Sequence, residues 1–286
     1  MNVVRSNAEM GAHRLLATGT VGLVPTMGAF HAGHHALMRA ARERCDTVVV
    51  SLFVNPAQFD EAADLDAYPR DEERDAAEAA ELGVDILYAP SVDEIYPPGF
   101  STSVRVDGLS DVLEGAERGP GHFAGVCTVV TKLLHVVAPD VAYFGQKDAQ
   151  QVAVLRRMVR DLDVPVELAI IPTVREPDGL ALSSRNVHLD PDERRRALSL
   201  SRALRTAEEA IAGGERDAAA VATAARAVMN GVDPEYLALV DPDSFEPITT
   251  VDGRVLVAVA ARIGATRLID NTIVHTAATP GGAPTT

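Results

Sequence analysis

Two histidines stand three residues apart in a glycine-containing turn, where an apolar run gives way to a helical pattern. The run ends at Pro25, the turn contains Gly28 and Gly33, and the histidines are His31 and His34. Backbone N–H groups and the positive end of a helix dipole meet at such a turn, which makes it an anion site. Both imidazoles can face the same side there and donate hydrogen bonds to a phosphate as its charge changes. Helix capping with surface histidines and a metal pair stay open as alternatives, and zinc is the weakest of them because no third ligand is near in sequence.

Two neutral amides, Asn55 and Gln58, follow the β-branched run 47–54. Open α/β sheets bind ligands at the carboxyl ends of their strands, which is where these amides are expected. A neutral amide suits a hydroxyl or a carboxylate that must be held without a strong base beside it. A turn stabilised by Asn55 and Pro56 explains the same residues equally well.

Lysine is scarce in this chain. Of 26 basic residues only Lys132 and Lys147 are lysines, so arginine serves wherever either cation would do. Each lysine therefore marks a candidate position for a compact ammonium rather than a planar guanidinium. Lys147 follows the apolar run 141–144 and can reach a phosphate, while Asp148 can cap a helix or hold ribose hydroxyls, and Gln151 can point back over the sheet edge. Chance is an equally good explanation for Lys132.

A polar loop carries Ser183, Ser184 and Arg185 between a strand and a helix. Two hydroxyls beside a guanidinium make a clamp for a triphosphate or a pyrophosphate. The tripeptide is common by itself. Together with the histidine turn it matches the two signatures of adenylate-forming enzymes.

Short apolar runs alternate with helical stretches in the first part of the chain, which predicts an α/β domain with a parallel sheet. The predicted strands are 21–25, 47–54, 85–89, 141–144 and 166–171. The predicted helices are one that contains Leu37, Met38 and Ala41, and those at 71–82, 123–137 and 148–161.

Beyond residue 187 the sequence pattern changes and predicts alanine- and arginine-rich helices followed by two further strands. The helices are predicted at 191–212 and 215–229, and the strands at 236–240 and 255–261. The sequence therefore predicts a parallel-sheet domain over 1–186, a small α+β domain over 187–276, and a disordered tail over 277–286.

Composition excludes several classes of protein. The net charge of −15 argues against bulk nucleic-acid binding, which needs a basic face. No apolar run is long enough to span a membrane and no secretory signal opens the chain, so we expect a cytoplasmic protein. Cys45 and Cys127 lack metal-binding spacing, and we interpret both as buried hydrophobic residues.

Taken in order, these motifs resemble those of the pantothenate synthetase family over nearly the whole chain. The matching segments are PTMGA at 25–29 with His31 and His34, FVNP at 53–56 with Gln58, DLDAYPR at 64–70, HFAGV at 122–126, FGQKD at 144–148, QQ at 150–151, SSRN at 183–186, YLALVD at 236–241 and TRLIDN at 266–271. The resemblance implies a Rossmann-like parallel-sheet domain, a small α+β C-terminal lid domain and a homodimer. It implies that pantoate and ATP, with Mg²⁺, give pantoyl adenylate and pyrophosphate, and that β-alanine then releases pantothenate and AMP.

The resemblance also assigns residues by matching position. Those expected to bind pantoate are Gln58, Gln151 and Met27, and Asn55 is a candidate for β-alanine. Those expected to act on the phosphates in catalysis are His31, His34, Lys147, Ser183, Ser184 and Arg185. ATP is expected to contact the same catalytic residues except His31, and also Met27. Gly145 and Asp148 are expected at its ribose, and the backbone of Val174 at its adenine. Asp75 is a candidate for the water shell of the metal, although a solvated helix carboxylate explains it better.

Three departures from the family pattern are visible. Phe30 stands where the family usually has leucine, Ala149 stands where it usually has tyrosine, and the stretch 118–122 is one residue longer, so Arg118 receives no role. Two other functions stay open: nucleotidyl transfer to a phosphorylated acceptor, and a catalytically inactive nucleotide sensor that acts through dimer contacts. The neutral Gln58 and Gln151 favour a carboxylate substrate over a phosphorylated one.

Overall fold

The structure, a computed structural model, describes residues 1–59, 62–119 and 121–276. Two compact units divide the chain: one is formed by 1–146 with 150–174, and the other by 147–149 with the residues from 175 onward. The domain limits that the sequence suggested, 1–186 and 187–276, stay a prediction. The tail predicted to be disordered, 277–286, lies outside the described residues.

The first unit is built on a six-stranded parallel sheet, as the alternating pattern predicted. Its strands are β1 (Asn2–Val4), β2 (Val21–Thr26), β3 (Thr47–Leu52), β4 (Ile86–Tyr88), β5 (Val141–Gly145) and β6 (Glu167–Ile171). Its helices are α1 (Asn7–Leu16), α2 (Ala32–Arg44), α3 (Ala62–Ala67), α4 (Glu72–Glu81), α5 (Val92–Ile95), α6 (Glu114–Arg118), α7 (Gly121–Val137) and α8 (Ala149–Asp161), the last of which begins in the segment 147–149.

Burial on both faces explains why the strands read as continuous apolar runs. Val48, Val49 and Val50 of β3 are fully buried between layers of helices. Helix α2 packs against β2 and β5, while α7 contacts β2 and α1. Helix α7 is apolar on nearly every side, and ten of its residues are buried.

The strand order is β1-β4-β3-β2-β5-β6, so the direction of chain progression reverses between β2 and β5. Ligands bind at such a switch point, at the carboxyl ends of the strands. Strands β2 and β5 pair through Gly22 with Val141 and Leu23 with Ala142. The strands themselves continue to Thr26 and Gly145. The two strands therefore separate toward their carboxyl ends and leave a crevice there.

The second unit pairs two helices with a three-stranded antiparallel sheet of order β7-β8-β9. These elements are α9 (Pro191–Ala212), α10 (Ala218–Ala227), β7 (Pro234–Val240), β8 (Arg254–Ile263) and β9 (Thr266–His275). Asp190 caps α9 in a reciprocal arrangement with Glu193, which explains where that helix begins. Leu200 and Leu204 of α9 are buried in one apolar cluster with Val257 of β8. No helix within the described ranges has the length and apolar character needed to cross a membrane.

Candidate active site

The histidine turn lies at the switch point, between β2 and α2. His31 occupies the N-cap position of α2, and its Nδ1 accepts a hydrogen bond from the backbone N–H of Gly33 over 3.1 Å. A ring nitrogen that accepts carries no proton, so the N–H of His31 is at Nε2. The ring of His34 stacks on that of His31, with centroids 4.1 Å apart and planes 23° from parallel. The predicted pair of imidazoles at a helix N-terminus is thus formed.

A buried carboxylate supports this turn from below. Asp75, on α4, is 1% exposed, and its Oδ1 accepts a hydrogen bond from the backbone N–H of Phe30 over 2.7 Å. Gly28 has a φ of +69°, and a Cβ there would lie 2.4 Å from Oδ2 of Asp75. The hydroxyl of Tyr68 donates to the carbonyl of Gly28 over 2.8 Å. Burial raises the pKa of the Asp75 carboxyl. The expectation of a solvated helix carboxylate is therefore wrong, because Asp75 is buried and supports the turn. Its role toward a metal through water stays a prediction.

Asn55 is 1% exposed and uses all of its hydrogen-bonding positions. Its Oδ1 accepts from the N–H of Ala57 over 3.3 Å and from the hydroxyl of Tyr96 over 2.7 Å. Its Nδ2 donates to the carbonyl of Gly125 over 3.1 Å and to Oε1 of Gln58 over 3.0 Å. A backbone N–H only donates and a carbonyl only accepts, so this orientation of the Asn55 amide is the one that satisfies both. Each polar atom of Asn55 is thus bonded within the protein, and its contact with β-alanine stays a prediction.

Gln58 is half-buried and is oriented by its neighbours. Because its Oε1 faces Asn55, its NH₂ group points elsewhere and can donate to a ligand oxygen. The ring of His122 contacts the carbonyl of Gln58 through Nδ1 over 3.0 Å. Helix α7 approaches closely at Gly125, where a Cβ would lie 2.2 Å from the carbonyl oxygen of Ala57. The turn that carries Gln58 is therefore held from α7 at two points.

The two consecutive glutamines, Gln150 and Gln151, have different surroundings. Gln150 is 3% exposed, accepts from the N–H of Glu114 over 2.9 Å and donates to the carbonyls of Leu109 and Val112 over 2.8 and 2.7 Å. It therefore holds the loop before α6. Gln151 is half-buried on the first turn of α8 and stays the predicted ligand of pantoate.

Most of the predicted phosphate-binding residues after β5 belong to the second unit. Lys147 lies in a short 3₁₀ turn, Gln146–Asp148, and its carbonyl accepts from Nδ2 of Asn271 over 2.8 Å. Ser183 caps a second 3₁₀ turn, Ser184–His188, by accepting from the N–H of Arg185 over 3.3 Å. The half-buried Ser184 and the exposed Arg185 follow directly.

Gly145 ends β5 in the first unit and is half-buried, and Asp148 is exposed on the 3₁₀ turn of the second. Val174 is half-buried at the end of the first unit, three residues beyond β6. Met27 is half-buried directly after β2. Their predicted contacts with ATP stay predictions.

The second lysine has a local explanation. Nζ of Lys132 lies 5.0 Å from the centroid of the Phe100 ring, a cation–π contact. Both cysteines are buried, as expected, and burial raises the pKa of Cys127 to about 12.

Three positions depart from the family pattern: Phe30, Ala149 and the stretch 118–122. Phe30 is buried and its ring packs against His34 at 5.6 Å between centroids. Ala149 begins α8 and is half-buried. Nε of Arg118 donates to Glu114 over 3.0 Å, and residue 120 of the longer stretch lies outside the described residues.

A pocket of 330 Å³ lies beside the histidine turn in the first unit. Met27 and Asp75 line it, together with Leu52, Phe53, Leu65 and Arg70. His31, His34 and Gln58 are not among its lining residues, so the pocket adjoins the predicted site rather than coinciding with it. Within the described ranges, no three histidine, cysteine, aspartate or glutamate side chains converge in a way that would hold a metal ion.

A Rossmann-like sheet with paired histidines at its switch point, followed by a small antiparallel sheet, is the architecture of solved ligases. The structure of pantothenate synthetase from Thermus thermophilus superposes with a TM-score of 0.89 at 48% identity, covering 95% of this chain and 99% of that one. The pantoate–β-alanine ligase from Francisella tularensis, complexed with β-γ ATP and β-alanine, superposes with a TM-score of 0.77 at 33% identity, covering 96% and 97%.

The family model described as pantoate–β-alanine ligase matches residues 2–273, and this chain belongs to that family. It is 53% identical to the pantothenate synthetase of Koribacter versatilis over the full length of both chains. It is 55% identical to that of Heliobacterium modesticaldum over 96% of this chain and 100% of the relative. The chain is accordingly a ligase that condenses pantoate with β-alanine using ATP.

Sequence reasoning missed the residues that support the site. Tyr96, Asp270 and Asn271 are buried or half-buried polar residues whose partners lie 41 to 124 residues away. The motif TRLIDN at 266–271 contributed to the resemblance, yet nothing in its spacing indicated what Asp270 and Asn271 bind.

Proposed function

We propose that the condensation proceeds in two half-reactions through pantoyl adenylate. In the first, a carboxylate oxygen of pantoate attacks the α-phosphorus of ATP, and pyrophosphate leaves with the electron pair of the broken P–O bond. In the second, the amine of β-alanine attacks the carbonyl carbon of the mixed anhydride, AMP leaves, and the nitrogen loses a proton. Atoms balance as pantothenate, AMP and pyrophosphate.

The observation that supports this proposal most strongly is the stacked pair His31 and His34 at the N-terminus of α2. The first half-reaction builds charge on phosphate oxygens, and preorganised donors at a helix N-terminus stabilise that charge. In this proposal His31 donates from Nε2, His34 donates beside it, and Lys147 supplies a positive charge. Stabilising charge with donors already in place avoids reorganisation during the reaction, and one such donor is worth about 3–4 kcal/mol.

Pantoate is held in the proposal by the NH₂ group of Gln58 and by Gln151, with Met27 lining the turn. An amide N–H donates a hydrogen bond to a carboxylate or hydroxyl oxygen without transferring a proton, so bound pantoate stays the carboxylate that attacks phosphorus. The orientation that Asn55 imposes on Gln58 supports this assignment, because it directs the donor rather than the acceptor toward a ligand.

ATP is the second substrate. Ser183, Ser184 and Arg185 are proposed to bind its outer phosphates, Gly145 and Asp148 its ribose, and the backbone of Val174 its adenine. The loop that carries Ser183 to Arg185 is proposed to close over ATP and to exclude water from the adenylate. Mg²⁺ enters with ATP in this account, because phosphate and water oxygens are the ligands that Mg²⁺ favours.

Assembly and location complete the proposal. The family resemblance supports a homodimer, and the enzyme is proposed to work in the cytoplasm, where ATP is supplied. Light scattering on the purified chain gives the mass in solution: twice the chain mass supports the dimer, and the single chain mass contradicts it.

The test follows pyrophosphate release from ATP, first with pantoate alone and then with β-alanine added. We expect pantoate alone to support release of pyrophosphate in an amount comparable to the enzyme, and β-alanine to start continuous turnover with an amide product. Continuous release without pantoate, or a product that contains no amide, would contradict the proposal.

A further inference from the structure

Strand β9 carries two consecutive buried polar residues that the proposed reaction does not use directly. Asp270 is 3% exposed and Asn271 is 5% exposed. A polar side chain is costly to bury without a partner, so such residues are bonded to something specific. Their partners in the second unit are the segments that carry the predicted phosphate-binding residues.

Asn271 holds the Lys147 turn. Its Nδ2 donates to the carbonyl of Lys147 over 2.8 Å, across 124 residues of sequence. A carbonyl that is fixed in this way fixes the peptide plane that follows Lys147, and with it the direction in which the lysine side chain leaves the backbone.

Asp270 holds the hairpin that leads to Ser183. Its two oxygens pair with Arg175 over 2.6 and 3.1 Å, and Oδ1 also accepts from the N–H of Asn271 over 2.8 Å. Arg175 bridges to Ala181 in the backbone and donates to the carbonyl of Gly179 over 3.2 Å, so it closes the hairpin 175–181.

The hairpin is tied in turn to the serine–arginine segment. Nδ2 of Asn186 donates to Glu176 over 2.7 Å and to the carbonyl of Ala181 over 3.1 Å. Residues 183–185 are therefore held at both ends, by the strand-like bridge at Ala181 and by Asn186.

Arg175 is the cation that pairs with Asp270. Burial raises the pKa of Asp270, while the bonds and the charge of Arg175 act to lower it. Arg175 bonds both oxygens of the carboxylate in a bidentate pair. Without Arg175, Asp270 would lose both of these charge-assisted bonds while staying buried.

We propose that Asp270 and Asn271 are positioning residues for the ATP half-reaction: Asn271 aims Lys147, and Asp270, kept neutralised by Arg175, holds the segment 183–185. The inference rests on the proposed roles of Lys147 and of Ser183 to Arg185. Arg175 keeps Asp270 paired and the hairpin 175–181 closed.

A charge-rescue experiment tests this proposal. Arg175→Met leaves the Asp270 carboxylate buried without its bidentate partner, and we expect kcat for pantoate-dependent pyrophosphate release to fall about a hundredfold, with the KM for pantoate changed less than about threefold. Adding Asp270→Asn removes the unpaired charge, and the double variant should recover about tenfold of the loss. A role in stability alone predicts that kcat per folded molecule stays at the wild-type value in both variants, because only the folded fraction would change.

Asn271→Ala tests the other half without creating an unpaired charge. We expect kcat to fall about tenfold while the thermal unfolding midpoint changes little. The matched control is Arg267→Met on the same strand, which breaks a pair with Glu235 over 2.6 Å and should leave kcat unchanged.

The outcomes separate this inference from the proposed function. Wild-type protein without pantoate-dependent pyrophosphate release contradicts the proposed function itself. Wild-type activity with an unchanged kcat in Asn271→Ala contradicts the role of Asn271. A double variant no better than Arg175→Met contradicts the role of the Arg175–Asp270 pair. If Arg175→Met does not fold, Asp270→Asn with an unchanged kcat and an unchanged KM for ATP contradicts the role of Asp270.

Discussion

Asn55 donates from Nδ2 to Oε1 of Gln58 over 3.0 Å, and this bond decides which end of the Gln58 amide meets a ligand. The orientation of Asn55 is itself determined by the N–H of Ala57 and the carbonyl of Gly125, neither of which can exchange donor for acceptor. Gln58 therefore offers NH₂, a donor that matches the carboxylate and hydroxyl oxygens of pantoate in the proposed site. A buried neighbour, Asn55, thus sets the polarity of that proposed pantoate site.

Asn55→Asp reverses that polarity. An ionised aspartate accepts hydrogen bonds only, so it repels the Gln58 oxygen and the Gly125 carbonyl, and the Gln58 amide is expected to turn its NH₂ toward residue 55. We expect the KM for pantoate to rise about tenfold or more, a loss of about 1.4 kcal/mol, with the KM for ATP nearly unchanged. Initial-rate kinetics with each substrate varied in turn measures this.

Tyr96→Phe is the milder companion, since it removes one of the two bonds to Oδ1 of Asn55. A rise of about threefold in the KM for pantoate is expected. If Asn55→Asp changed the KM for β-alanine and did not change the KM for pantoate, Asn55 would be a β-alanine ligand.

The neighbouring histidines supply a matched pair of variants. His34→Ala removes one of the two stacked imidazoles, and we expect kcat for pyrophosphate release to fall about a hundredfold or more. His35→Ala removes a ring that instead bonds Glu78 of α4 through Nε2 over 2.8 Å. That variant should keep its kcat and lose at most about 1 kcal/mol of unfolding free energy. Equal kcat values for the two variants would show that His34 does not act on the phosphate.

Gly28→Ala tests the support beneath the turn. Alanine is strained at a φ of +69°, and its Cβ would lie 2.4 Å from Oδ2 of Asp75. Gly108→Ala is the control, because Gly108 has a φ of +75° but no atom within 4 Å of the added Cβ. The two variants share the backbone strain, so their difference reports the clash. We expect urea unfolding to show Gly28→Ala less stable than Gly108→Ala by about 1–3 kcal/mol. Equal unfolding free energies would show that the turn accommodates the added methyl group without a loss of stability.

Asp75→Asn should change how stability depends on pH. Burial raises the pKa of Asp75 above its ordinary 3.8, so the unfolded chain releases this proton at a lower pH than the folded chain does. That group's contribution to stability is therefore complete below pH 3.8 and is lost as pH rises through the folded pKa. Asparagine keeps an oxygen for the N–H of Phe30 and removes the titration. We expect the unfolding free energy of the variant, relative to wild type, to increase as pH is raised from about 4 to about 7, and a constant difference would contradict the raised pKa.

The sheet of the first unit was predictable because strands that are buried on both faces form continuous apolar runs in the sequence. Runs such as 47–54 and 141–144 are β-branched and apolar, and β3 and β5 begin at the predicted residues. The histidine turn and the 183–185 segment were found because their residue types are rare in combination and follow strand ends.

Other elements left no comparable trace. Strand β1 has only three residues, and helix α1, which begins with a capping box at Ser6 and Glu9, was not predicted. Strand β9 was missed because Arg267, Asp270 and Asn271 interrupt its apolar alternation. Those residues are tolerated there since their partners come from distant segments, which no local pattern can indicate.

The transfer of oxygen from pantoate to AMP tests the central claim most directly. Attack by the carboxylate on the α-phosphorus, followed by cleavage of the carbonyl–oxygen bond, leaves one carboxylate oxygen of pantoate on AMP. With pantoate labelled by ¹⁸O in its carboxylate, mass spectrometry of the products should find one label in AMP and one in the amide of pantothenate. Unlabelled AMP, or label in pyrophosphate, would contradict the pantoyl adenylate.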